Sequence, residues 1–131
     1  ATLVRGGSAI TERVYEPTIL ADPLPDSKIG KQEVFGPVIA VFRTKSSEEA
    51  IARANSIDFA FQAAVFTQDI DNAMAAYSGL NASAVMVNDH TAFRTDWMPF
   101  AGRKRSGLGV GGISHTLEEM SQSKMAVFSS Q

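Results

Sequence analysis

The sequence predicts an α/β fold carrying a βαβαβ parallel-sheet layer, and three observations point to it. Val38-Ile39-Ala40-Val41-Phe42, Ala63-Ala64-Val65-Phe66 and Ala84-Val85-Met86-Val87 are short apolar runs, bounded by turn residues, and read as strands. The two stretches between them carry helix-start signals and helical spacing. Strand–helix–strand order with connections of that length implies right-handed crossovers, and these give a parallel sheet.

Taken in order, Leu3-Val4 is a short apolar pair ahead of a turn at Gly6-Gly7. Tyr15 to Leu20 reads as a strand entered through Pro17, since proline lacks an N–H and is tolerated at a strand's start or edge. Pro23, Pro25, Asp26 and Gly30 mark residues 22–30 as a loop. After the Val38–Phe42 strand, Ser46-Ser47-Glu48-Glu49 starts a helix. Ser46 is placed to accept from the N–H three residues on, Glu49 reaches back, and both acids favour the positive end of the helix dipole. Ala50, Ile51 and Ala54 form its narrow apolar stripe, and Asn55-Ser56 ends it.

Thr67 or Asp69 caps the next helix, in which Ile70, Ala73, Met74 and Tyr77 mark one buried face and Gly79 the stop. Residues 91–112 form a long, glycine-rich polar loop, and loops of that length are usually functional or disordered. Ile113 to Met120 is a weak helix candidate. Met125-Ala126-Val127-Phe128 is a last apolar strand with no hairpin partner in sequence, expected to pair with a neighbouring subunit.

Composition narrows the function classes. The 131 residues suffice for one domain and not for two ordinary ones. A 44% hydrophobic and 20% charged composition is that of a globular chain. A net charge of -2 gives no general attraction to nucleic acid or to an anionic membrane. There is no cysteine, so disulfides, thiolate metal sites and a cysteine nucleophile are excluded from this chain. No basic segment leads into an apolar run, and no apolar run is long enough to span a bilayer, so neither a signal peptide nor a membrane span is expected. A cytoplasmic protein is the expectation. The chain opens on Ala1 and reads as part of something longer.

The stretch Glu33-Val34-Phe35-Gly36-Pro37 is the first candidate site. Gly36-Pro37 sets a bend that leaves Glu33 and Phe35 on the approach to a strand. A carboxylate accepts two hydrogen bonds from vicinal hydroxyls and an aromatic ring offers an apolar face, which together suit a ligand with a diol and a flat ring. The plain alternative is a surface glutamate beside a core phenylalanine. Asn88, Asp89 and His90 stand at a strand's carboxyl end, where open parallel sheets gather ligands.

The order of Tyr15-Glu16-Pro17-Thr18, Glu33-Val34-Phe35-Gly36-Pro37, Glu49-Ala50-Ile51 with Ala54-Asn55, Ala64-Val65-Phe66-Thr67, Val87-Asn88, and Pro99-Phe100 with Lys104 and Ser106-Gly107 resembles the aldehyde dehydrogenase superfamily. The resemblance covers about residues 12–128. It implies that residues 1–120 are the C-terminal portion of the catalytic domain and 121–131 an oligomerisation strand and tail. The run from His90 to Pro99 is similar to members acting on small, polar or anionic aldehydes, of the phosphonoacetaldehyde and lactaldehyde dehydrogenase type.

On that resemblance Glu33 binds the nicotinamide ribose hydroxyls of NAD or NADP and Phe35 packs on the nicotinamide. Phe100 lines the substrate tunnel. Arg94 lies where the family varies its substrate contacts, and a guanidinium fork suits a phosphonate or carboxylate. An arginine pairing with Asp96 is the open alternative. The implied partners are a small aldehyde and further copies of the chain, with no nucleic acid and no membrane.

The family's chemistry uses a cysteine thiolate and a glutamate-activated water, and the resemblance places both, with the Rossmann phosphate site, outside these residues. No catalytic residue is therefore assigned here, and the isolated polypeptide is expected to be inactive. A non-enzymatic assembly module with the same fold is the alternative.

Other residues carry plainer readings. Asn88 reads as a strand-end cap rather than an oxyanion donor. His90 and His115 have no partners at metal spacing, so no metal is assigned. Arg103-Lys104-Arg105 reads as a solvated face, with an intersubunit contact as the alternative. Ala60, Ser83 and Ala101 stand where the family commonly has glycine, and a positive φ at any of them would cost about 1 kcal/mol.

Overall fold

Pro17 has no N–H to give a ladder, and the strand that follows it starts one residue later, at Thr18. The computed structural model describes residues 1–130. The elements run β1 (Thr2–Arg5), β2 (Thr18–Ala21), α1 (Lys28–Lys31), β3 (Val38–Val41), α2 (Ser47–Asn55), β4 (Phe59–Ala60), β5 (Gln62–Val65), α3 (Ile70–Gly79), β6 (Ala84–Val87), β7 (Arg103–Lys104) and α4 (Ile113–Glu119). This is the α/β fold that the strand and helix patterns predicted.

The parallel pairing is also present, but in two sheets. β1 lies antiparallel to β2, and β2 parallel to β3 with Thr18 opposite Val38 and Ala21 opposite Val41. β5 is parallel to β6 with Gln62 opposite Ala84 and Val65 opposite Val87. The three most apolar runs therefore do not share one sheet among the described residues. The first of them pairs instead with the proline-led strand. Apolar content identifies a strand; its partner is chosen by non-local packing that no local pattern encodes.

Local rules explain the joints. At Gly6, φ is 75° and a Cβ would stand 2.3 Å from the Pro17 carbonyl oxygen, so only glycine fits. Thr18 is buried, and its hydroxyl accepts from the Gly7 N–H at 2.9 Å and donates to the Glu16 carbonyl at 2.9 Å. Asp22, at φ 46°, accepts from the Arg43 backbone N–H and from its Nε, both at 2.9 Å, tying the end of β2 to the end of β3. The backbone bond first and the guanidinium second hold the Asp22 carboxyl below its ordinary range.

α2 begins as read: the Ser46 hydroxyl accepts from Glu49 N–H at 3.3 Å. Glu49 reaches one residue further back than a capping box requires and accepts from Lys45 N–H at 2.8 Å. α3 is capped by Asp69, whose carboxylate accepts from Asp71 N–H at 2.9 Å, while Thr67 accepts from Asp69 N–H.

The buried seam of α3 is narrower than the sequence pattern indicated. Ala73 and Ala76 are buried with Met86 of β6, but Ile70 and Tyr77 are 71% and 62% exposed and Met74 is exposed as well. Only the alanines meet the β5–β6 layer, because small side chains let the helix lie close on it. α2 packs on α3 through Ile51, which sits against Gly79 where a Cβ would come within 3.1 Å.

Two stretches read as loops contain structure. Residues 22–30 run into α1, whose Lys31 pairs with Asp26 at 2.6 Å. Residues 91–112 include β7, antiparallel to β4 with Phe59 opposite Lys104. Residues 121–130 carry neither helix nor strand, and the expected strand at 125–128 has no partner among the described residues. Gln131, the last residue of that expected tail, lies outside the described residues. No described helix is long and apolar enough to cross a membrane.

Candidate functional site

Glu33 and Phe35 reach their positions through a short stop and a tight bend. α1 ends with Gln32 N–H donating to the Lys28 carbonyl at 2.8 Å, and Glu33-Val34-Phe35 then runs without helix or strand. Gly36 N–H donates to the Val34 carbonyl at 3.0 Å and Val38 N–H to the Gly36 carbonyl at 2.8 Å. These two three-residue turns swing the chain into β3 and leave the preceding side chains outside the sheet. Phe35 is 93% exposed, so it is not the core phenylalanine of the plain alternative. Glu33 and Phe35 face one open crevice of about 510 Å3, completed by Phe59, Asp58 and Arg105. Glu33 also borders a second hollow, where Phe61 and Ser106 stand.

Phe100 is held by a reciprocal pair of backbone bonds: its N–H donates to the Gly111 carbonyl at 2.9 Å and Gly111 N–H returns one at 2.8 Å. Its ring meets Phe61 edge-on, with centroids 4.9 Å apart and planes at 85°. The Arg94 guanidinium carbon lies 4.1 Å from the Phe100 centroid, a cation–π contact. Among the described residues no ion pair joins Arg94 to Asp96, so the alternative pairing is not formed. Arg94 and Phe100 thus act as one unit. Phe61 joins that unit to the hollow that Glu33 borders.

Of the clamps around these side chains, the Asn88 strand-end cap was visible in the sequence and the Asn55 clamp was not. Asn88, at φ 57°, accepts from Thr67 N–H at 2.9 Å and donates to the Thr67 carbonyl at 2.8 Å, closing the carboxyl end of the β5–β6 pair. Asn55 does the same for the helices, donating to the Gly79 carbonyl at 2.7 Å and accepting from Asn81 N–H at 2.8 Å.

The run 103–105 is exposed, as a solvated face would be, but its side chains are engaged. Lys104 Nζ donates to the Asn55 and Ile57 carbonyls, each at 2.7 Å, which places a cation on the negative end of α2. Arg103 reaches Asn81, and the Arg105 guanidinium lies 5.6 Å from the Phe59 centroid. Ser106 Oγ accepts from Ala60 N–H at 3.0 Å. A lysine near a helix end in space, but far from it in sequence, leaves no local signature. Ala60, Ser83 and Ala101 do not adopt positive φ, so alanine and serine are unstrained there; the non-glycine residues in that region are Asp22, Asn88 and Lys104.

The chain matches the aldehyde dehydrogenase family over residues 1–126, so the likeness starts before residue 12. It is 41% identical over 125 residues to a lactaldehyde dehydrogenase of Methanococcus maripaludis, an alignment covering 95% of this chain and 26% of that protein. It is 39% identical over 113 residues to a 3-sulfolactaldehyde dehydrogenase of Priestia aryabhattai, covering 86% of this chain and 24% of that one. Its fold superposes with a TM-score of 0.83 and 39% identity on the glyceraldehyde-3-phosphate dehydrogenase of Methanocaldococcus jannaschii in complex with NADP, covering 92% of this chain and 26% of that chain. The chain thus spans about a quarter of the length of these proteins. It belongs to the aldehyde dehydrogenase family.

Proposed function

We propose that this chain forms one wall of the cofactor and aldehyde sites of an NAD- or NADP-dependent aldehyde dehydrogenase that oxidises a small, polar or anionic aldehyde to a carboxylic acid in the cytoplasm. The observation carrying this reading is that Glu33 and Phe35 open onto one crevice, an acid beside an exposed ring. That pair fits a nicotinamide nucleoside: the carboxylate accepts from both ribose hydroxyls and the ring covers the base. When bound, the nicotinamide accepts a hydride from the substrate.

This chain's own share is to bind, orient and keep out water. Phe100 shapes the approach of the aldehyde, and Arg94, fixed over that ring, receives an anionic end of the substrate. The sulfolactaldehyde and lactaldehyde relatives support a small polar substrate. On this reading the isolated 131-residue chain reduces no cofactor with any aldehyde.

Reading the coding sequence upstream of Ala1 tests the proposal. An in-frame cysteine and dinucleotide-binding region support it, and a start codon adjacent to Ala1 overturns it. A second reading, a non-enzymatic assembly module, is favoured by the exposed apolar tail, where Met125, Val127 and Phe128 are 84%, 83% and 93% exposed. A chain that starts at Ala1 and self-associates fits that module alone. In either case we propose that residues 125–128 form a strand between copies of the chain.

A further inference from the structure

The crevice holding Glu33 and Phe35 also contains two cations, and they differ in what already engages them. Lys31 is paired with Asp26 at 2.6 Å. Arg105 is not: among the described residues no ion pair or side-chain hydrogen bond uses its guanidinium, although Glu33 and Asp58 line the same crevice. Two contacts nonetheless fix it. Its backbone N–H donates to the Asp58 carbonyl at 2.9 Å, anchoring the residue beside β4. Its guanidinium stands 5.6 Å from the Phe59 centroid, so the planar fork is steered by a ring that itself lines the crevice.

An arginine oriented by an aromatic face, with its donors unspent, is suited to an anion with several acceptor oxygens. We propose that Arg105 binds the 5′-phosphate of the nicotinamide nucleotide whose ribose hydroxyls meet Glu33. This rests on the nucleoside reading of the Glu33–Phe35 crevice and adds to it a phosphate contact from the chain's own side. The chemistry is consistent across the crevice: the acid takes the hydroxyls, the rings take the base, and the free cation takes the phosphate. Arg105 is thereby a cofactor-binding residue for the proposed reaction.

The test titrates the 131-residue chain with nicotinamide riboside and with nicotinamide mononucleotide, which differ only by that phosphate, and follows amide shifts by NMR. The mononucleotide is expected to bind about fivefold or more tightly, with the preference shrinking as salt rises. Arg105→Gln removes the preference for the mononucleotide over the riboside, while Arg105→Lys keeps part of it as a point charge without the fork.

Equal binding of the two ligands by the unmodified chain overturns the Arg105 assignment and leaves the crevice reading standing. A preference that survives Arg105→Gln overturns it too, by sending the phosphate to another cation. Riboside that fails to bind, or binds equally well to Glu33→Gln, removes the underlying reading and this proposal with it. The comparison of the two ligands on the unmodified chain stands even where a variant does not fold.

Discussion

At the scale of single residues, two exposed side chains make bonds whose loss reaches beyond their own positions. Asn88 holds Thr67 through both ends of its amide while its backbone sits at φ 57°. Asparagine is tolerated there because its short polar side chain suits the left-handed region, which an alanine resists by roughly 1 kcal/mol. Asn88→Ala loses two hydrogen bonds as well, each with a net worth of about 1 kcal/mol. A total loss of about 2–3 kcal/mol is expected in urea unfolding, and Asn88→Gly, relieved of the backbone term, should lose less. Equal losses in the two variants would show that the backbone conformation contributes nothing.

Asp22 supplies a pH dependence. Its folded carboxyl titrates below the ordinary range because Arg43 donates to the charged form, so the unfolded chain takes up the proton first as pH falls. The stabilisation is therefore whole above about pH 4 and is lost as pH drops through the folded value. Thermal melts between neutral and strongly acidic pH should show an acid limb that is shallower in Asp22→Asn.

The sequence disclosed Asn88 as a strand-end cap because asparagine after an apolar run is a local signal. Arg94's seat on Phe100 was hidden, since nothing in their spacing distinguishes a stacked arginine from one paired with Asp96.

At the scale of elements, what could be read depended on how local the cause was. The start of α2 was readable because Ser46 and Glu49 act within a single turn. Its end at Asn55-Ser56 was readable as well, but the Lys104 that caps it from outside was not, being carried by a strand far along the chain. Ser46→Ala should cost about 1 kcal/mol, the usual worth of such a cap. Lys104→Met keeps the aliphatic stem and removes both bonds, one to the last α2 carbonyl at Asn55 and one to the Ile57 carbonyl just beyond it. It is expected to destabilise the chain by about 1–2 kcal/mol. Amide exchange would separate the two: the first variant frees the amides of the helix start, the second those of residues 57–60 and the β4–β7 pair. Global loss of protection in both would mean α2 has no independent ends.

The α3 pattern shows the converse failure. Ile70, Met74 and Tyr77 have the spacing of a core face, yet in this chain the alanines pack and the large side chains stand outward. Periodicity finds an apolar face and cannot say which neighbour covers it.

At the scale of the whole molecule, the two parallel layers leave strand edges open, and two-stranded sheets are marginal on their own. The tail at 125–128 is the chain's own candidate for closing such an edge. It is apolar, exposed and unpaired among the described residues, and it would bury alternate side chains while its backbone completes a ladder. The unmodified chain should therefore run above its monomer mass in light scattering at micromolar concentration, with the apparent mass rising with concentration. Two substitutions separate the two sources of affinity. Val127→Asp puts a charge where an apolar side chain would be covered, and Ala126→Pro removes one backbone N–H while leaving the large apolar side chains in place. If the tail pairs as a strand, both return the chain to monomer. If it associates only as a greasy segment, the proline variant still assembles and the aspartate variant does not. A unit that is monomeric before any substitution has no such strand, and some other surface must then cover the outward side chains of α3.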